Sequence, residues 1–285
     1  MKSSSLTAYW QVTKPRLWIM LTYTSAIGFL ASLKVQPSSL YVGFLAVAAT
    51  ALGTSGANVI TSYLDRDIDG IMRRTDHRPI PSGRIDPPTK ALQFGIVLVI
   101  ASLALLIAAA KYAAAFIGFL GLFDNIIVYS AWLKRRSPLN IILGGFSGGA
   151  PVMVGWCVNA NPLSPIPLLM AAVVVLWIPS HIWSLALRYR DDYSRAGVPM
   201  LPVVVSPKTA IRCVASTSVL MFMFSITLAF IGPFGWVYFA VAGVSGTVLL
   251  LLTAWMILKP VGEVAFVLFK YTSPYLALIL AAMAF

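Results

Sequence analysis

The sequence has little of what a soluble domain is made from. Of its 285 residues only 9 are Asp or Glu and 2 are His, and charged residues of either sign make up 11% of the chain. Cysteine is equally scarce. Cys157 and Cys213 fall in or beside different apolar runs, so neither a disulfide nor a CxxC metal site is indicated. The opening MKSSSLTAYWQVTKPR is too short and polar to be a signal peptide with its own apolar core, so the first apolar run is expected to be retained. No linker, low-complexity segment or soluble appendage is visible. What is abundant is apolar: 59% of the residues are hydrophobic, beyond the range of water-soluble domains.

Apolar stretches long enough to cross a bilayer number about nine, at 16–33, 40–61, 92–110, 112–133, 141–158, 166–187, 209–230, 235–257 and 264–284. They are continuous rather than alternating, which excludes a β-barrel and predicts an all-α, polytopic membrane protein lying in the lipid bilayer. Alternating the sides places Lys2, Lys14 and Arg16, the arginines between Arg66 and Arg84, Lys134 to Arg136, Arg188 to Arg212 and Lys259 on one side. The other side receives Lys34 and Lys111. This asymmetry predicts a cell-membrane protein with a cytoplasmic N-terminus and an external C-terminus. The net charge of +12 is thereby accounted for without a nucleic-acid partner, for which no motif exists.

Topology needs scattered Lys and Arg; it does not need aspartates among them. Yet five of the nine acids, Asp65, Asp67, Asp69, Asp76 and Asp86, lie in the connection after the second run, and Asp191 and Asp192 in that after the sixth. If the second helix continues past the hydrocarbon, Asp65 and Asp69 are i,i+4 neighbours, with Arg73 a turn further and Asn58 on roughly the same face. Two carboxylates so spaced can share Mg²⁺, which completes its shell with water and phosphate oxygens. Arginines beside them suit the phosphates. The plainer alternative is an Asp69–Arg73 ion pair at a helix end.

A second cluster, PSHIWSLALRYRDDYSRAGVPMLP, sets His181, Leu185, Arg188 and Asp192 along one helical stripe and Asp191 and Arg195 at i,i+4. Both clusters emerge on the same membrane face, each from an even-numbered span, which predicts a shared pocket. Between them YSAWLKRRSPLNIILGG offers Lys134, Arg135 and Arg136 as phosphate clamps or as topology signals, with Asn140 just beyond. Asp124 sits inside the fourth run, where an acid is either functional or an interhelical hydrogen bond.

The stretches DRDIDGIMRRTDHRPIPSGRI, YSAWLKRRSPLNIILGG, GAPVMVGW, PSHIWSLALRYRDDY and AGVPMLPVV resemble the haem O synthases, the protohaem IX farnesyltransferases among the UbiA-type intramembrane prenyltransferases. The resemblance covers most of the chain. It implies a single domain over 1–285, with nine helices around a central cavity. Two internally similar bundles would each carry an Asp-rich motif, at about 58–84 and 179–202. It also implies Mg²⁺-dependent transfer of a farnesyl group from farnesyl diphosphate to a vinyl group of haem b, with water added, giving haem O for a partner enzyme that oxidises it to haem A.

Carried over by position, Asp65, Asp69, Asp191 and Asp192 are expected to bind metal. Arg73, Arg74, Lys134, Arg135, Arg136 and Arg188 are expected on the diphosphate, with Asn58, Thr61, Asp124 and Asn140 supporting. Two departures stand out. Thr61 occupies a position that commonly holds Asn, and His181 stands where quinone-type enzymes usually have Asp, which assigns His181 to haem. His77, in RTDHRP, suits a loop or phosphate role. The alternatives are another UbiA-type prenyltransferase acting on a quinone precursor or lipid, and a transporter; charges gathered at one face argue against a through-path.

Overall fold

The computed structural model describes residues 5–285, and among these the regular structure is entirely helical. Lys2, one of the expected cytoplasmic cations, lies outside the described residues. A short helix α1 (Ser5–Val12) turns through Thr13 and Lys14 into α2 (Pro15–Leu33), followed by α3 (Leu40–Leu64), α4 (Arg66–Ile71), α5 (Thr89–Ala108) and α6 (Tyr112–Phe123). The last continues through Asp124–Leu133 as a π-helical segment, in which the Lys134 amide reaches back five residues to the Tyr129 carbonyl at 2.8 Å. Then come α7 (Asn140–Leu143), α8 (Phe146–Cys157), α9 (Pro165–Arg188), α10 (Arg190–Arg195), α11 (Leu201–Val204), α12 (Pro207–Ile231), α13 (Trp236–Leu258) and α14 (Gly262–Ala282).

Among the described residues eight helical segments are long and apolar enough to span a bilayer: α2, α3, α5, α6 with its π extension, α9, α12, α13 and α14. The ninth expected run, 141–158, is helical but broken at Gly144 and Gly145, leaving α8 with 12 residues around an internal Pro151. Its sequence explains the difference. Glycines let α8 sit in the middle of the molecule, buried from Gly148 to Trp156. A Cβ at Gly155 would lie 1.8 Å from the Ser25 carbonyl oxygen, and one at Gly28 would lie 2.2 Å from that of Val152. The backbones of α2 and α8 therefore touch, as small residues permit in membranes.

Helices α2, α6 and α9 pack around α8, α3 joins α2 to α5, and α9 also holds α12 and α14. Outward faces carry exposed Val97, Phe116 and Leu251, which suit lipid. Some inward hydroxyls return their hydrogen bonds to their own helix, as Ser225 does to the Met221 carbonyl at 2.9 Å, and others join helices, as Ser102 does to the Ala49 carbonyl at 2.6 Å. Asp124 ties two elements together: its carboxylate accepts from the Ser147 amide in the first turn of α8 at 2.9 Å. The space left among α2, α3, α6, α8, α9 and α14 is a single deep cavity of about 990 Å³.

Candidate active site

Helix α3 ends at Leu64 because Asp65 leaves helical geometry (φ −92°, ψ 6°), yet the Asp69 amide still donates to the Asp65 carbonyl at 2.8 Å. One turn is thus preserved across the break, and Asp65 and Asp69 face the cavity together, each 4% exposed. Buried carboxylates need partners. Asp69 accepts from Arg78 Nη1 with both oxygens, at 2.8 Å each. Asp65 Oδ2 accepts from Lys134 Nζ at 2.5 Å, and its Oδ1 is buried with no partner. Burial alone would weaken the Lys134 ammonium, but Asp65, with Tyr129 and Asp69, outweighs it and holds the group above its ordinary range.

Asp67, half a turn away, faces outward. Arg135 grips it with two bonds of 2.6 and 2.7 Å, and that hydrogen bonding lowers its carboxyl to about 2. The pair is exposed and contributes little to stability.

The third wall comes from the start of the chain. Ala8 and Val12 of α1 pack with Val59, Ile80, Ile85 and Ala91, and the ring of Tyr9 meets Phe94 edge-on at 5.3 Å. Asn58 Nδ2 donates to the Thr13 carbonyl at 3.0 Å, and Arg84 donates to Gln11 Oε1 at 2.5 Å. So strapped, Lys14 is left-handed (φ 55°) immediately before Pro15, a conformation disfavoured for a side-chain-bearing residue. Its side chain lines the cavity beside Asp65, Asp69, Arg78 and Lys134. Burial, then repulsion from Arg78, brings its ammonium down to about 8.

Below this charged end the walls turn apolar, with Leu106, Val154, Val174, Ile178 and Leu276. His181 lines the same space, its ring between Trp177 and Phe269 at centroid distances of 4.6 and 4.2 Å. Ser130 also lines it, its hydroxyl buried without a partner.

The expected site residues divide into those that reach the cavity and those that do not. Asp65, Asp69, Arg74, Lys134 and His181 line it, with Asn58 and Thr61. Arg73, Arg135, Arg136 and Arg188 are exposed outside the lining, and so is Asp191. Asp192 bonds to Arg195, and its neighbour Tyr193 supplies the wall instead, accepting from Arg74 at 3.5 Å. The stripe from His181 to Asp192 fails at Tyr189, where α9 ends and α10 begins in a new direction. Asn140 is buried against the Lys134 carbonyl, and Asp124 is engaged with Ser147. The plainer alternative, an Asp69–Arg73 pair, is not what forms: Asp69 pairs with Arg78. Sequence reasoning missed Lys14, Arg78, Tyr129 and Tyr193 as cavity residues; Arg78, Tyr129 and Tyr193 lay inside the quoted motifs, whereas Lys14 read only as a topology signal.

Among the described residues no three carboxylate, imidazole or thiol groups converge as a metal site. The free Oδ1 of Asp65 nevertheless fits a hard cation that takes one or two carboxylates and fills its shell with phosphate oxygens and water.

The model of the UbiA prenyltransferase family matches residues 19–283. The chain belongs to this family. It is 42% identical over 277 residues to the protoheme IX farnesyltransferase of Thermoplasma volcanium, covering 97% of this chain and 96% of that one. Its identity to the protoheme IX farnesyltransferase of Desulforudis audaxviator is 44% over 278 residues, covering 97% and 87%. The fold is that of solved UbiA structures. A digeranylgeranylglyceryl phosphate synthase superposes with a TM-score of 0.81 at 20% identity, covering 99% of this chain and 98% of that one. A UbiA homologue of Archaeoglobus fulgidus bound to DMAPP and Mg²⁺ superposes with a TM-score of 0.68 at 16% identity, covering 94% and 98%. The chain is thus a multi-pass membrane protein of UbiA architecture, as its composition and long apolar runs led one to expect.

Proposed function

We propose that this chain transfers the farnesyl group of farnesyl diphosphate to a vinyl carbon of haem b and that water completes the product, haem O. The observation that carries the reading is the division of one cavity into a cationic head and an apolar shaft. Lys14, Arg74, Arg78 and Lys134 line the head around a carboxylate with a free oxygen; an imidazole lies in the shaft. The near full-length likeness to protoheme IX farnesyltransferases supports the choice of acceptor.

Lys134 and Arg78 now neutralise Asp65 and Asp69. When a diphosphate enters, these cations and Lys14 can turn to its oxygens, with the arginines suited to paired contacts. Mg²⁺ would be held by Asp65 and Asp69, with Asp192 of the second motif as a further carboxylate, and when bound it would offset the charge that grows on the leaving group. Fixed cations at the head act in the same sense as the bond from the farnesyl C1 to oxygen breaks and the electron pair departs with the diphosphate. The apolar shaft keeps water from the allylic cation until C1 joins the vinyl carbon. The adjacent haem carbon then takes up water and releases a proton.

We place the N-terminus and both Asp-rich connections in the cytoplasm, so farnesyl diphosphate enters from that side. A haem-oxidising enzyme would take the product. The test is direct: purified protein, haem b, farnesyl diphosphate and Mg²⁺ should yield haem O by mass, and EDTA should stop it. Transfer to an aromatic acid but not to haem b would favour the quinone-type alternative.

A further inference from the structure

His181 is held by more than packing. Thr272, on α14, accepts or donates to its Nδ1 at 2.7 Å, and the same hydroxyl lies 2.8 Å from the Phe269 carbonyl. A threonine hydroxyl has one proton, and a carbonyl can only accept. The proton therefore goes to Phe269, and the hydroxyl meets the imidazole with a lone pair. Nδ1 must carry the ring's hydrogen, which leaves Nε2 unprotonated. The Thr272 carbonyl also accepts from Trp177 Nε1 at 2.9 Å, so one residue of α14 fixes both the histidine and the ring stacked on it.

The consequence is directional. Trp177 and Phe269 cover both faces of the imidazole, so it cannot lie flat on a porphyrin and offers the cavity only its edge. The Phe269 carbonyl is also a hydrogen-bond acceptor for the ring, as an Nδ1–H facing Thr272 and Phe269 allows, and among the described residues no hydrogen bond engages Nε2. A lone pair on a ring edge cannot donate to a propionate, but it can bind a metal end-on. We infer that Thr272 is a positioning residue that locks His181 in the Nδ1–H tautomer so that Nε2 ligates the iron of haem b. This rests on the haem reading above and adds to it the mode of haem capture. A ligating histidine whose other nitrogen is held by a fixed acceptor is the usual arrangement at metal centres, and loss of that acceptor typically weakens the metal about ten- to a hundredfold.

Iron and metal-free porphyrin separate this from a merely structural role. Haem b and metal-free protoporphyrin IX are titrated into the full-length protein in detergent, with farnesyl diphosphate binding measured alongside. His181→Ala should abolish the Soret shift of bound haem, and added imidazole should restore it. Thr272→Val should raise the Kd for haem b about ten- to a hundredfold, leave the Kd for metal-free protoporphyrin unchanged, and be rescued by Thr272→Ser. Equal losses for both porphyrins, or no loss for haem, would overturn the iron ligation. A wild-type protein that binds farnesyl diphosphate but neither porphyrin would instead remove the haem reading itself.

Discussion

Lys14 offers a perturbation that needs no mutation. Its ammonium, brought down to about 8 by burial and by Arg78, changes charge within the range of ordinary buffers. The cation is the form that attracts a diphosphate, so the favourable state exists below about pH 8 and is lost above it. At pH 7 about nine tenths of Lys14 is charged and at pH 9 about one tenth, so the apparent Kd for farnesyl diphosphate should rise about tenfold, or about 1.4 kcal/mol. Above pH 8 binding should also take up a proton, because the bound phosphate holds the amine charged. The other head cations do not follow: arginines stay charged, and Lys134 is held above its ordinary range. Lys14→Arg should therefore flatten the profile. Isothermal titration between pH 7 and 9, in two buffers of different ionisation enthalpy, reads both the affinity and the proton uptake. A wild-type Kd that is constant over that range, or a Lys14→Arg profile that falls in parallel with it, would remove Lys14 from the diphosphate.

Asp65→Asn keeps the size of the side chain but removes the charge and the free oxygen, and turnover should vanish while the protein still elutes as a folded species from detergent size exclusion. Asp192→Ala should also abolish turnover; activity near wild type would withdraw the second motif from metal binding. Arg135→Ala breaks the exposed pair with Asp67 and an exposed bond to the Leu64 carbonyl, so melting should change by about 1 kcal/mol or less, whereas Lys134→Ala strips a buried carboxylate of its partner and should cost about 3–5 kcal/mol; equal effects would refute the assigned burial. Gly155→Ala, which drives a methyl into the Ser25 carbonyl, should lower stability by about 1–3 kcal/mol in thermal unfolding.

Much of this was legible in the sequence because it follows from solvent and spacing. Apolar run length predicts spans, and the i,i+4 spacing of Asp65 and Asp69 survives even though α3 stops just before them, at Leu64, since a single amide bond carries the turn across. The break inside the ninth run is something hydropathy cannot show. In 141–158 Gly144 and Gly145 interrupt the helix, while Gly148 and Gly149 let α8 pack closely on α9 and Gly155 lets it touch α2, so the run is buried among other helices. Partners distant in sequence were also hidden. Nothing local says that Asp65 meets Lys134, 69 residues on, or that Asp69 prefers Arg78 to Arg73. Lys14 was hardest, because its place depends on a left-handed residue before a proline and on a strap made by Asn58 and Arg84.

The grip of α14 on α9 has a consequence for the order in which the protein becomes competent as it is made. Lys14, Asp65, Asp69, Arg74, Arg78 and Lys134 are all present once the ribosome has passed the first half of the chain, whereas His181 is not fixed until Thr272 arrives in the last helix. The cationic end of the cavity is thus encoded entirely in the first half of the chain, while the orientation of the imidazole in its apolar part is set by the last helix.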